Sequence, residues 1–128
     1  MKNIITYGTF DTFHYGHLEL LIRASKLGNR LIVGLSTDDF NATKGKKCQF
    51  SFNKRKEWLN AISLVNIVIP EENWNQKSLD IQKYNIDCLV MGDDWQGQFD
   101  FLKKYCSVIY LPRTKKISTT QIKNICKL

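Results

Sequence analysis

Two prolines and four cysteines are all the 128 residues hold of those types, and no apolar run is long. Each scarcity narrows the possibilities. Cys48, Cys88, Cys106 and Cys126 stand far apart with no C-x-x-C pair, which argues against a zinc site or a disulfide framework. Cys88 and Cys106 adjoin apolar runs and read as small buried hydrophobes. No stretch approaches the roughly 18 apolar residues of a membrane-spanning helix. Met1-Lys2-Asn3 leads straight into an apolar run with no charged-then-apolar leader, so a cytoplasmic protein is expected. There is no internal repeat, low-complexity tract or linker, so residues 1–128 are read as one domain, long enough to bury a core without staples.

Acidic residues are also in deficit: 19 Lys and Arg against 12 Asp and Glu give a formal net charge of +7. Such a balance suits nucleic acid, an anionic membrane surface or phosphorylated small molecules. The lysines decide among these. Lys44, Lys46 and Lys47 fall in one predicted loop and Lys115 and Lys116 in another, which favours a phosphate pocket. A nucleic-acid module would instead show a basic stripe with exposed aromatics. Lys103 and Lys104 read as a solvated helix surface.

Apolar runs alternate with helical patterns along the whole chain. Strands are expected at 3–7, 31–35, 67–69, 88–91 and 107–111, with Pro70 and Pro112 ending two of them. Helices are expected at about 17–27, 53–63 (capped by Asn53), 76–84, 99–105 and 118–127, and Gly28 stands where a helix C-terminal glycine belongs. Residues 40–52 read as a polar loop over the site. The alternation predicts an α/β fold, a Rossmann-like parallel five-stranded sheet with helices on both faces. Ligands of such a sheet bind at the carboxyl ends of its strands.

The most informative stretch is Gly8-Thr9-Phe10-Asp11-Thr12-Phe13-His14-Tyr15-Gly16-His17, between the first strand and first helix. Spacing of three puts His14 and His17 on one helical face. Gly16 lets a ligand approach the backbone, and a helix N-terminus attracts phosphate. H-x-x-H is not the H-E-x-x-H of a zinc protease, so the pair reads as two imidazole donors aimed at phosphoryl oxygens.

Gly8-Thr9-Phe10-Asp11 with His14-Tyr15-Gly16-His17 resembles the first signature of the cytidylyltransferase family, within the HIGH-type nucleotidyltransferase superfamily. Arg113-Thr114-Lys115-Lys116-Ile117-Ser118-Thr119-Thr120 resembles its second. Ser36 to Asn41, Val68 to Glu71 and Met91 to Trp95 extend the likeness, so it covers essentially the whole chain. Two positions depart from the family pattern: Lys116 replaces a usual glycine, and Asn66 a common aspartate.

The resemblance implies transfer of CMP from CTP to sn-glycerol 3-phosphate, giving CDP-glycerol and pyrophosphate for a teichoic-acid or capsular polymer. It also implies nucleotide-bound Mg2+ with no protein metal cage, and a homodimer. It assigns catalysis to His14, His17, Asp11 and Arg113. Nucleotide contacts go to Thr9, Phe10, His14, His17, Lys46, Arg113, Thr114, Ile117, Ser118, Thr119 and Thr120. Lys44 and Lys77 hold the acceptor, and Arg55 and Asp94 support the site. Asp11 would orient a histidine or assist Mg2+. Trp74 and Trp95 would wall the site or pack in the core. The competing reading is a cytidylyltransferase for another small phosphorylated alcohol: phosphocholine, phosphoethanolamine or a polyol phosphate. A cationic acceptor would want an aromatic or acidic cage, whereas residues 44–47 offer lysines.

Overall fold

The computed structural model describes residues 2–12 and 14–112. The expected helix at 118–127, the second signature from Arg113 to Thr120, Lys116 and Cys126 lie outside the described residues.

Five parallel strands form one sheet: β1 (Asn3–Gly8), β2 (Arg30–Ser36), β3 (Ile67–Glu71), β4 (Cys88–Gly92) and β5 (Ser107–Leu111), in the order β3-β2-β1-β4-β5. The order reverses direction at β1, which places a ligand crevice outside the carboxyl ends of β1 and β4. Four helices join the strands: α1 (Tyr15–Ser25), α2 (Asp38–Thr43), α3 (Phe52–Asn60) and α4 (Gln76–Lys83). A 3-10 turn follows β4 at Asp93–Trp95 and another precedes β5 at Asp100–Lys104.

Continuous apolar strands mean that both sheet faces are covered. Ile4, Leu31, Val33, Leu35, Cys88 and Val90 point to one face, under Leu18, Leu21 and Ala24 of α1 and Leu59 of α3. Ile5, Tyr7, Ile32, Leu89 and Met91 point to the other, under Ile81 of α4 and Phe99 and Leu102. The alternation is the period of two that strand geometry imposes.

Several local expectations change. The start of the polar loop is helical, because Thr37 caps α2 by accepting the Phe40 N–H at 3.1 Å. Ser51, not Asn53, caps α3 by accepting from Lys54 N–H. Gly28 lies beyond the end of α1, which closes at Lys26; it is needed for space, since a Cβ there would meet Ile4 Cγ1 and the Lys2 carbonyl at 2.7 Å. Strand β3 runs through Pro70 to Glu71. That strand is at the sheet edge, and the Pro70 carbonyl accepts from Gln76 Nε2 at 2.9 Å. The helix at 99–105 is the 3-10 turn Asp100–Lys104, with Lys103 and Lys104 exposed. Asn66 takes over an edge bond: its Oδ1 accepts the Leu31 N–H at 2.7 Å while its own N–H goes to the Leu31 carbonyl. An amide oxygen serves there as a carboxylate oxygen would.

Candidate active site

Strand β1 hands the chain to α1 through a strained turn. Phe10 is buried at φ +49°, a left-handed conformation rare for an aromatic residue. The two histidines then form a reciprocal cap. His14 Nδ1 accepts the Gly16 N–H at 3.0 Å, and His17 Nδ1 accepts the His14 N–H at 3.4 Å. Both Nδ1 atoms are thus acceptors, which puts the proton of each neutral ring on Nε2. The rings stack at 3.9 Å between centroids, with Phe10 tilted against His17 at 5.0 Å.

Burial first, and the facing His14 second, push His17 down to about 4, with a hydrogen bond to the Thr12 backbone opposing. His17 is therefore neutral at physiological pH and donates without bringing charge. The linkage follows: between about pH 6.5 and 4 the unfolded chain binds a proton that the folded ring refuses. Stability therefore falls as pH drops through that window and levels below it. Urea midpoints measured from pH 7 to 4 should fall less steeply in His17→Ala than in the parent, the carboxylate contributions cancelling between the two. Identical slopes would show that the ring is not held neutral by the fold.

The lysine-bearing segment is fastened across this turn from several sides. Asp11 accepts the backbone N–H groups of Gln49 (2.8 Å) and Phe50 (2.9 Å), one on each carboxylate oxygen. Asn41 Nδ2 donates to Cys48 Sγ at 3.0 Å. Beneath lies Arg55, 0% exposed on α3. Its Nη1 donates to the carbonyls of Thr9 (2.9 Å) and Ser36 (2.6 Å), its Nε to that of Phe50 (3.1 Å), and its Nη2 to Asp38 Oδ1 (2.7 Å). One guanidinium fork thus joins the ends of β1 and β2 to the lysine loop. Asp38 is held below the usual carboxylate range, chiefly by the Phe52 N–H and then by Arg55.

On the β3 side a buried ion pair faces the same space. Lys77 and Glu71 are each 3% exposed, with Nζ 2.6 Å from Oε2. Ser36 Oγ donates to Glu71 Oε1 at 3.1 Å and accepts from Lys44 Nζ at 3.2 Å. One carboxylate therefore ties both ammonium groups, directly and through a hydroxyl. Burial lowers the Lys44 pKa, and the Glu71 charge opposes that shift.

These elements enclose a cavity of about 540 Å³ lined by Thr9, Phe10, Asp11, His14, His17, Lys44, Lys46 and Lys77, all singled out in the sequence. Trp74 and Trp95 also line it. Arg55 lies outside the lining. Asp94 borders a neighbouring cleft of about 490 Å³, shared with His14, His17, Arg23 and Pro112. Arg113, Thr114, Ile117, Ser118, Thr119 and Thr120 lie outside the described residues. Lys47, expected in the phosphate-pocket loop, lines the cavity too, as do Glu71, Ser36 and Tyr7, to which the sequence alone assigns no role. For Glu71 the sequence offers no signal, because its partners Lys77 and Ser36 stand 6 and 35 residues away.

Four lysines, paired imidazoles and a helix N-terminus at the carboxyl edge of a parallel sheet suit phosphoryl groups, and the chain is a nucleotidyltransferase by its family. Residues 5–125 match the Cytidylyltransferase-like family, and the chain belongs to it. It is 67% identical over 123 residues to the glycerol-3-phosphate cytidylyltransferase of Bacillus spizizenii, covering 96% of this chain and 95% of that one. It is 58% identical over 123 residues to the protein of the same name from Bacillus subtilis, with 96% and 95% covered. In three dimensions it is similar to a lipopolysaccharide core biosynthesis protein from Thermoplasma volcanium. There the TM-score is 0.75 at 20% identity, over 90% of this chain and 99% of that one, a likeness of fold alone.

Proposed function

We propose that the chain transfers CMP from CTP to sn-glycerol 3-phosphate, giving CDP-glycerol and pyrophosphate. The observation that supports the acceptor assignment is the pairing of Lys44 and Lys77 through Ser36 and Glu71, in the cavity that the histidine turn also lines. Two cations there suit a second phosphate, distinct from the triphosphate that the histidines and the α1 N-terminus would hold.

An oxygen of the acceptor phosphate, already an anion, attacks the α-phosphorus of CTP. The new P–O bond forms as the bond from that phosphorus to the bridging oxygen of the β-phosphate breaks, and that oxygen leaves on pyrophosphate. No protein nucleophile or strong base is required, so catalysis is positioning and charge stabilisation. His14 and His17 donate to the phosphoryl oxygens, Lys46 holds the nucleotide, and Lys44 and Lys77 hold the acceptor. Arg113, Thr114 and residues 117–120 complete the nucleotide site, as the family resemblance implies.

Mg2+ belongs in this reading on the triphosphate. Both Asp11 oxygens already accept backbone N–H groups. That donor set fits a cation carried in by the nucleotide, where it would offset phosphate charge. A homodimer working in the cytoplasm completes the proposal, and light scattering on the purified chain tests the dimer. No helix among the described residues is long and apolar enough to cross a membrane.

The test is pyrophosphate release from CTP with and without sn-glycerol 3-phosphate. Release is expected only with the acceptor, and Lys44→Ala and Lys77→Ala should each raise the acceptor KM at least about tenfold, the scale of losing a charged hydrogen bond. Acceptor-independent release, or an unchanged acceptor KM in both variants, would refute the reading.

A further inference from the structure

Lys77 does more than face the cavity. Its ammonium lies 4.6 Å from the centroid of Tyr7, 5.0 Å from that of Phe99 and 5.5 Å from that of Trp74, with Glu71 Oε2 at 2.6 Å. Three aromatic faces and a carboxylate around one nitrogen is the chemistry that recognises alkylammonium ions. The walls are fixed independently of their occupant. Tyr7 OH donates to Asp80 Oδ2 at 2.8 Å, and burial together with Asp80 raises its pKa, so it stays a phenol. The Phe99 N–H donates to Tyr110 Oη at 2.9 Å, and Trp95 packs on the Phe99 ring at 5.4 Å. Glu71 is held in place by Ser36. Trp74, half exposed, stands at the mouth against Phe40.

We propose that Glu71 and the rings of Tyr7, Phe99 and Trp74 form a cage for an organic cation, and that the chain's own Lys77 ammonium is its resident. An acceptor carrying an alkylammonium head finds the cage taken and meets a like charge. A phosphorylated polyol meets a cation whose position is fixed. Lys77 is thus a specificity-determining residue because it fills a site of the opposite specificity. The effect on acceptor choice rests on the acceptor reading above; the cage itself does not.

Removing the side chain back to Cβ opens the cage to the cavity that Lys77 lines. Ethylammonium chloride should then raise the melting temperature of Lys77→Ala above that in equal sodium chloride, by mass action on the folded state. Tetramethylammonium, which donates no N–H hydrogen bond and so reports the rings, should do the same. Neither salt should differ from sodium chloride for the parent protein, or for Lys77→Met, whose side chain keeps the space filled. Glu71→Gln added to Lys77→Ala should weaken ethylammonium binding at least about tenfold, as expected for a desolvated charge contact. Phe99→Leu on the same background should weaken tetramethylammonium binding.

Losing Lys77 strands a buried carboxylate, which alone is enough to unfold a small domain. If Lys77→Ala does not fold, the Lys77→Ala/Glu71→Gln protein decides by its tetramethylammonium response. Absence of any ammonium-specific shift in both proteins would overturn the cage. So would an equal shift in the parent, or a response to ethylammonium alone, which needs only a carboxylate. The acceptor reading is separable: ethylammonium should also restore turnover with sn-glycerol 3-phosphate in Lys77→Ala. Binding without restored turnover counts against that reading and leaves the cage standing.

Discussion

Replacing His17 by alanine is expected to lower kcat at least about 100-fold, the scale of removing one donor to charge that develops in the transition state. The expectation rests on the way the ring is held. Its Nδ1 accepts the His14 N–H, so Nε2 carries the proton. Its pKa of about 4 keeps it neutral above pH 5. It therefore contributes a hydrogen bond whose strength grows as negative charge moves onto phosphoryl oxygens, with little to offer the ground state. Steady-state kinetics should show the loss in kcat with the CTP KM changed far less. His17→Asn, which keeps an N–H donor on a shorter arm, should recover part of it. A His17→Ala protein with a native fold and near-parental kcat would remove His17 from the chemistry.

A large loss of stability is expected from Arg55→Ala. Four acceptors converge on this fully buried side chain, three of them backbone carbonyls at separate points of the chain: Thr9, Ser36 and Phe50. Truncation leaves those carbonyls short of a donor and opens a hole. Asp38 costs less, because its side chain is 53% exposed and water can solvate it. A loss of about 3–5 kcal/mol is expected, the range seen when one partner of a buried charged network is deleted. Urea unfolding checks it through the midpoint. Arg55→Lys should recover only a fraction, since one ammonium cannot span acceptors on three segments. A loss below about 1 kcal/mol for Arg55→Ala would mean that water replaces the fork, and Arg55 would then be no strut.

The frame of the fold was legible because its signals are local. Runs such as Leu31 to Leu35 and Cys88 to Met91 are short, apolar and β-branched in part, and both faces of their strands are covered. The histidine turn was legible for a similar reason: Gly8 to His17 carries its residues within one strand–helix junction. What escaped depends on partners distant in sequence. Asp11 invites a reading as a metal or histidine partner, yet its oxygens meet N–H groups 38 and 39 residues away. Arg55 reads in the sequence only as a residue supporting the site, and its place under the loop emerges only when Thr9 and Ser36 are brought to it. Glu71 has no sequence cue for a place in an anion pocket; it is needed because Lys77 is buried beside it. Helix α2 was missed for a nearer reason, since six mostly polar residues show no apolar stripe and only the Thr37 cap betrays them.

Pro70 in β3 bears on how this molecule keeps apart from its neighbours. An edge strand is a template onto which a strand of another chain can zip. At Pro70 the ring supplies no amide hydrogen. Its carbonyl, which would otherwise greet an incoming strand, is already engaged by Gln76. At that position of the edge, then, a stranger's backbone meets neither a donor nor an unoccupied acceptor. The same loop chemistry that seats α4, and with it Lys77, also interrupts strand addition at Pro70.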